Sequence, residues 1–280
     1  MKSWRIIADS SSDLLVPMVE DEIVKFSTVP LKILVDQTEY VDDSDVNVAD
    51  MIAHLKSFKG PSSSACPSIE DFAAEMRKND YSIVITITSG LSGTYNCALM
   101  AKDMVLEEYP EKKIFVLDTH STSSTMILDV YKTKELIKQG LEFEQVVEEL
   151  ERYNKGLDLL FVLASYDTLI KNGRMSAVAG LVAKALNIRA IATNSDTGTI
   201  EVIKKTQGET NALKTIAEMM GQRKDITGLP VVITHCFNEK AANTLRDHIL
   251  QQHKPSEVKI LPMKALTGYY AGEFGLIISY

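Results

Sequence analysis

The chain has 280 residues, of which 45% are hydrophobic and 24% charged, and its formal net charge is −8 at pH 7. This size and composition predict a globular protein with one large domain or two ordinary ones. The acidic balance gives no electrostatic reason to expect nucleic acid or an anionic membrane as a partner, and no stretch approaches the ~18 consecutive apolar residues of a membrane-spanning helix.

Predicted strands and helices alternate in the first half of the chain. Apolar runs predict strands at WRIIAD (4–9), SIVITIT (82–88) and KIFVLD (113–118), and a longer β-rich stretch covers 24–36. Helices are predicted over about 47–58 and about 94–109. The strand–helix–strand order over 82–118 predicts a βαβ unit with parallel strands and a right-handed crossover.

The middle of the chain is predicted to be helical, and the second half has a different strand pattern. EFEQVVEELERY carries an apolar stripe, and the glycine of YNKGLD (153–158) is expected to end that helix. Residues 189–207 predict an antiparallel hairpin around an Asp-Thr-Gly turn. The expected fold is α/β with two domains: an N-terminal parallel-sheet domain over 1–155, which holds a head-group site, and a C-terminal domain with a mixed sheet over 156–280.

Loops rich in small hydroxyl residues follow the predicted strands. They are DSSSD (9–13), TSGLSGT (88–94) and DTHSTSS (118–124), and GPSSSACPS (60–68) has the same character before a helix. Ligands bind beyond the carboxyl ends of parallel strands, so these segments are expected to form an anion site of neutral donors. Gly90 and Gly93 are expected to adopt positive φ there. Helix N-capping is the alternative role for each serine.

Motifs for metal binding and nucleophilic catalysis are missing from the sequence. Three cysteines without CxxC spacing argue against a disulfide framework or a zinc site, and the five histidines have no metal-ligand spacing. Neither a G-x-S-x-G elbow nor a P-loop occurs. The N-terminal sequence lacks a signal-peptide core, so we expect a protein of the reducing cytoplasm without stable membrane insertion. Arg174, after Gly173, either reaches an anion from the second domain or forms a capping or inter-domain ion pair.

Four segments together resemble the DegV family over essentially the whole chain. They are IIADSSSDL, SACPSIEDF (64–72), TSGLSGTYNCA and NGRMS, in that order. The resemblance implies a protein that binds one long-chain fatty acid, with the acyl chain buried between two domains and the carboxylate held by hydroxyls. It implies no cofactor and no independent catalytic activity. Members of the fatty-acid-kinase type present the carboxylate to a separate ATP-dependent kinase subunit, which forms an acyl phosphate for phospholipid synthesis.

The resemblance also assigns roles to individual positions. The family's carboxylate-binding serine matches Ser92, and the threonine that precedes its x-x-Pro-Ser segment matches Ser64. The arginine of its Gly-Arg-x-Ser motif matches Arg174. Leu266 stands where the family often has a histidine by the head group, and this departure bears on phosphotransfer more than on lipid binding. The remaining candidates for the ligand site are Ser89, Gly93 and Thr94.

An enzyme that uses the same serine-rich edge is the alternative function. It would be a small-molecule kinase-like or hydrolytic protein with Asp9 or Asp118 as base or metal ligand. The missing nucleophile elbow and P-loop argue against it. A regulatory module that responds to lipid is compatible with fatty-acid binding.

Overall fold

The computed structural model describes residues 2–176 and 187–280. In chain order the first part contains β1 (Trp4–Asp9), a 3-10 turn (Ser10–Ser12), α1 (Val16–Val19), β2 (Val24–Val29), β3 (Lys32–Val35), β4 (Thr38–Val41), α2 (Val48–Ser57), β5 (Ser62–Ala65), α3 (Ile69–Met76), β6 (Tyr81–Thr86), α4 (Thr94–Glu108), β7 (Lys113–Asp118), α5 (Ser124–Lys138) and α6 (Phe143–Lys155).

The second part of the chain begins with β8. Its elements are β8 (Leu159–Val162), α7 (Asp167–Lys171), β9 (Ile188–Asn194), β10 (Ile200–Gln207), α8 (Glu209–Arg223), β11 (Pro230–His235), α9 (Glu239–Gln252), β12 (Glu257–Pro262), α10 (Ala265–Ala271) and β13 (Leu276–Ser279). No helix in the described ranges is both long and apolar enough to cross a membrane.

A parallel sheet with the strand order β2–β1–β6–β7 forms the centre of the first domain. Successive strand residues point to opposite faces, so Ile6 and Ile83 pack under α5 and α6 while Ile7 and Val84 pack under α3 and α4. Burial on both faces explains why these strands appear as continuous apolar runs in the sequence. The predicted βαβ unit is confirmed, with α4 between β6 and β7.

A small antiparallel sheet, ordered β4–β3–β5, lies beside the parallel one. The β-rich stretch 24–36 is divided at Pro30, because β2 joins the parallel sheet and β3 joins this second sheet. The segment 60–68 was expected to be a hydroxyl-rich loop, and this is wrong for Ser62–Ala65, which form β5. Ser64 there pairs with Ile33 of β3, whose ladder supplies the backbone partners that the serine-rich sequence does not indicate.

The second domain contains a six-stranded mixed sheet in the order β10–β9–β8–β13–β11–β12. Only the pair β11–β12 is parallel among its described strands. The predicted hairpin is present, with Gly198 at φ 71° in its turn. The two-domain α/β fold with a parallel and a mixed sheet is therefore confirmed, while the division at residue 155 stays a prediction.

Candidate functional site

A cavity lies between the two sheets, beyond the carboxyl ends of β6 and β7. Its empty volume is about 850 Å³, part of which is open to solvent. Segments that follow β6 and β7 line one side, and β8, β9 and α10 line the other. The predicted meeting of loops at this sheet edge is thus extended by residues from the second domain.

Apolar side chains form most of the cavity wall. They are Leu31, Ile87, Leu91, Leu159, Phe161, Leu163, Leu169, Ile200, Leu266, Ala271 and Ile277. Strand periodicity explains the contribution of β8: Leu159 and Phe161 belong to the core cluster on the cavity side, whereas Leu160 and Val162 pack against α8 and α9. The wall therefore suits a ligand with a long hydrocarbon part.

Polar side chains gather around Ser64, Tyr270 and Arg174. The hydroxyls of Ser64 and Tyr270 are 2.7 Å apart, and the guanidinium carbon of Arg174 lies 6.0 Å from the centre of the Tyr270 ring. Arg174 Nε donates to the carbonyl oxygen of Leu91 at 3.3 Å. This contact joins the second domain to the loop that carries Ser92, so the side chains from β5, α10 and two loops meet at one end of the cavity.

A helix terminus sets the position of Arg174. Gly173 follows α7 at φ 72°, and the Arg174 N–H returns to the carbonyl oxygen of Leu169 at 2.8 Å. This is the hydrogen bond of a glycine-terminated helix end, which explains the Asn-Gly-Arg sequence. The turn places the guanidinium where it lines the cavity.

Four of the seven predicted site residues line the cavity, namely Ser64, Ser92, Arg174 and Leu266. Ser92 Oγ is 2.8 Å from the hydroxyl of buried Thr94, the first residue of α4. Ser89 is exposed and its N–H donates to Asp118 Oδ1 at 3.1 Å. Ser89, Gly93 and Thr94 are not in the lining, so these three adjoin the cavity without facing it.

The expected positive φ at Gly90 and Gly93 is wrong. Gly93 has φ −74° as the residue before α4, and Gly90 is not among the positive-φ glycines of the described chain. Close backbone approach requires Gly90 instead, since a Cβ there would lie 2.5 Å from the carbonyl oxygen of Thr197. On the opposing turn, a Cβ on Gly198 would lie 1.9 Å from Thr88 Oγ1. The two glycines let the β9–β10 hairpin close over this edge.

Asp9 and Asp118, the candidate base or metal ligand of the alternative enzyme function, accept hydrogen bonds from backbone N–H groups of the neighbouring loops. Asp9 accepts hydrogen bonds from the N–H groups of Ser11 and Ile87 at 3.0 and 2.6 Å, and burial raises its pKa to about 6. Asp118 Oδ1 accepts from the N–H groups of Ser89 and His120, both at 3.1 Å. Neither aspartate lines the cavity, and no metal-binding group of three or more side chains occurs in the described ranges.

Several lining residues were not predicted from the sequence. They are Tyr270 and Thr267 of α10 and Thr193, Asn194, Gly198 and Thr199 of the hairpin. Thr88, His120, Ser121 and Thr122 also line the cavity, and they belong to the two loops that the sequence predicted at this edge. Tyr270 contacts the predicted residue Ser64 through its hydroxyl. Its spacing of four from Leu266 was the available signal, because residues i and i+4 share one face of a helix.

Two buried aspartates position the beginning of α10. Asp42 accepts from the N–H groups of Ala265 and Leu266 at 2.9 and 3.1 Å, and its Oδ1 lies 4.0 Å from Lys264 Nζ. Asp13 accepts from the Lys264 N–H at 2.7 Å and from the hydroxyl of Ser123 at 2.5 Å. Burial raises the pKa of both carboxyls, that of Asp13 to about 7. The cavity helix therefore depends on contacts from distant parts of the chain.

The raised pKa of Asp13 predicts a pH effect on stability. A carboxyl whose pKa is raised on folding stabilises the protein below its unfolded pKa of 3.8, and this contribution is lost as pH rises towards about 7. Asp13→Asn removes the titration while keeping the shape. The unfolding free energy of wild type should fall relative to that of the variant by about 4 kcal/mol between about pH 4 and pH 8, at 1.36 kcal/mol per pKa unit.

Urea titrations at several pH values measure this difference. Exposed Asp45→Asn is the matched control, and its curve should run parallel to that of wild type. If the curve of Asp13→Asn also ran parallel to that of wild type, the raised pKa of Asp13 would be contradicted.

Known proteins resemble this chain over its full length. A family profile described as "Uncharacterised protein, DegV family" matches residues 3–280. A DegV domain-containing protein of Streptococcus pneumoniae is 38% identical, with 99% of each chain covered. The solved structure of the Streptococcus pneumoniae Fatty Acid Kinase (Fak) B3 protein loaded with linoleic acid is 36% identical with a TM-score of 0.96, and a DegV family protein from Eubacterium eligens loaded with heptadecanoic acid is 33% identical with a TM-score of 0.93. Both alignments cover 99% of each chain.

Proposed function

The chain belongs to the DegV family, and from this membership we propose that it binds one long-chain fatty acid in the cavity between its two sheets. One observation carries the proposal: a single cavity joins a long apolar wall to an end with hydroxyls and one guanidinium. Similar proteins of known structure hold linoleic and heptadecanoic acid, which are ligands of this chemical form.

The carboxylate lies at the polar end in this proposal. Ser64 and Ser92 donate hydroxyl hydrogen bonds to it, and Arg174 supplies the positive charge. Gly93 and Thr94 act indirectly by fixing the start of α4, and Ser89 does not contact the ligand. Tyr270, which already contacts Ser64, is the additional hydroxyl at this end.

The acyl chain supplies most of the binding free energy. Each buried CH₂ contributes about 0.8 kcal/mol, so a long chain lying along Leu159 and Phe161 gives high affinity even with few charged contacts. The carboxylate contacts then set orientation. No cofactor enters this binding function, in which the fatty acid is the ligand.

We further propose that the bound carboxylate is presented to a separate, ATP-dependent fatty acid kinase subunit. That subunit would transfer a phosphoryl group to the carboxylate and form an acyl phosphate. The similarity to the Fak B3 protein supports this step. Leu266 cannot donate a hydrogen bond from its side chain. The guanidinium of Arg174 would therefore balance the charge of the carboxylate here, and the hydroxyls would donate hydrogen bonds to it. A cytoplasmic location stays a prediction from the sequence.

Lipid extraction tests the proposed function directly. Protein purified without added lipid is denatured, extracted with organic solvent and analysed by mass spectrometry. We expect one fatty acid per chain, because the apolar cavity retains such a ligand during purification. An empty extract, together with no rise in melting temperature when fatty acids are added, would overturn the proposal. The same assay with fatty alcohols reports whether the carboxylate is required.

Ser92→Ala should weaken fatty-acid binding about tenfold. The variant loses one hydrogen bond to a charged carboxylate, and such bonds contribute about 1.5–3 kcal/mol, part of which water or Thr94 replaces. Ser89→Ala should leave affinity unchanged, since Ser89 is exposed and is not among the residues that line the cavity. Fluorescence titration with a labelled fatty acid measures both. Equal effects of the two substitutions would contradict the placement of the carboxylate beside Ser92.

A further inference from the structure

Two cysteines lie side by side next to the polar end of the cavity. Cys66 and Cys97 are 31 residues apart in the chain, and their sulfur atoms are 3.7 Å apart. Cys66 is exposed and Cys97 is partly buried. The third thiol, Cys236, is buried elsewhere and serves below as an internal control. Both members of the pair are free in the structure, so they form a dithiol that a small reagent can reach through Cys66.

The dithiol connects the two segments that carry Ser64 and Ser92. Cys66 directly follows β5, two residues after Ser64. Cys97 lies in the first turn of α4, where its N–H donates to the carbonyl oxygen of Gly93 at 3.1 Å. A bond between the two sulfurs would therefore fasten β5 to the beginning of α4.

The geometry requires little movement for such a bond. Sulfur atoms in a disulfide are about 2.0 Å apart, so the pair must approach by about 1.7 Å, which side-chain rotation and a small shift of the segment after β5 can supply. Burial raises the pKa of the Cys97 thiol, with a further contribution from its contact with Cys66. Exposed Cys66 is thus the thiol that reacts first, and Cys97 is the one that resolves the intermediate.

We propose that Cys66 and Cys97 are a reversible redox site, oxidised by a small-molecule disulfide such as oxidised glutathione. The Cys66 thiolate attacks one sulfur of the reagent, forms a mixed disulfide and releases one glutathione thiolate. Cys97 then loses its proton and attacks the Cys66 sulfur, which releases the second glutathione and forms the protein disulfide. Two protein thiols are oxidised and one glutathione disulfide is reduced to two thiols.

The bond has a consequence for the ligand, which rests on the proposed function. It closes a covalent loop of residues 66–97, which contains Ser92 and begins two residues after Ser64. Because a buried ligand leaves through local opening of such walls, the oxidised protein should exchange fatty acid about tenfold more slowly than the reduced protein. Reduction restores the faster exchange.

Redox titration tests the chemistry independently of lipid. Reduced protein is equilibrated in glutathione buffers of defined ratio, quenched in acid, alkylated after unfolding and mapped by mass spectrometry. We expect a Cys66–Cys97 peptide pair with Cys236 fully alkylated. In Cys97→Ser the product should instead be a single glutathione on Cys66. Stable glutathionylation of Cys66 in wild type, with Cys97 still alkylated, would overturn the site.

Fatty-acid exchange tests the consequence. Exchange of a labelled fatty acid is followed for oxidised and reduced wild type and for Cys97→Ser, in which oxidant should not change the rate. Equal exchange rates for the two wild-type forms, once the disulfide is verified, would contradict the proposed effect of the disulfide on fatty-acid exchange. A disulfide that forms in a protein without any fatty-acid binding would refute the proposed function and leave the dithiol chemistry standing.

Discussion

Arg174→Met is expected to weaken fatty-acid binding 10- to 100-fold while leaving the affinity for the matching fatty alcohol nearly unchanged. The guanidinium is the fixed positive charge among the described lining residues, and a hydrogen bond to a charged group contributes about 1.5–3 kcal/mol. Methionine keeps a similar apolar stem against the Tyr270 ring, so packing changes little. Titration of the acid and the alcohol of one chain length measures the selectivity.

The comparison of acid and alcohol separates two roles of Arg174. Its side chain also donates to the carbonyl oxygens of Leu91 and Asn172, so the substitution could loosen the loop before Ser92. A loosened wall would weaken both ligands equally, and that result would contradict a direct carboxylate contact. Arg152→Met on α6 is the matched control, since the Arg152 side chain is 75% exposed and absent from the cavity lining.

Local sequence patterns predicted the parts of the fold that local forces determine. β1 and β7 are short buried strands whose apolar runs have the length and composition of parallel-sheet strands, and their bounds were predicted correctly. The hydroxyl loops after β6 and β7 do border the cavity, because topology alone brings the carboxyl ends of parallel strands to one edge.

Long-range contacts determine the parts that were missed. β5 is rich in serine and forms a strand because β3 offers it a ladder. The start of α10 depends on Asp13 and Asp42, which lie more than 200 residues earlier in the chain. Without that helix, Tyr270 could not be placed beside Ser64. Periodicity within a short window contains no information about partners at such separations.

The glycines of the site show the same limit. The sequence indicated that position 90 requires glycine and suggested a positive backbone φ as the reason. The reason is instead the close approach of the Thr197 carbonyl oxygen from the other domain, which leaves no room for a Cβ. Likewise, the absence of CxxC spacing argued against a disulfide framework, and the fold brings Cys66 and Cys97 together across 31 residues.

Gly198→Ala should combine a backbone cost with a steric one. Gly198 has φ 71°, and a Cβ there would lie 1.9 Å from Thr88 Oγ1 and 3.0 Å from the Cα of His120. The residue also accepts the Thr88 hydroxyl hydrogen bond at 3.1 Å. We expect a loss of about 3 kcal/mol or more in unfolding free energy, together with weaker fatty-acid binding, because the displaced hairpin carries cavity residues Asn194 and Thr199.

Gly228→Ala separates the two costs of the Gly198 substitution. Gly228 has nearly the same backbone angle, φ 75°, and among the described residues no atom beyond its chain neighbours lies within 4 Å of the position of its Cβ. Only the left-handed conformation is therefore penalised, by about 1–2 kcal/mol. Adding Thr88→Ala to Gly198→Ala should recover part of the lost stability, since it removes the nearest clash but leaves the close contacts with the Cβ of residue 88 at 2.9 Å and with the Cα of His120. Urea unfolding measures all four proteins, including wild type. Equal losses at Gly198 and Gly228 would mean that the hairpin can shift away from Thr88 without a cost in free energy, and the closure of this edge of the cavity would then not depend on Gly198.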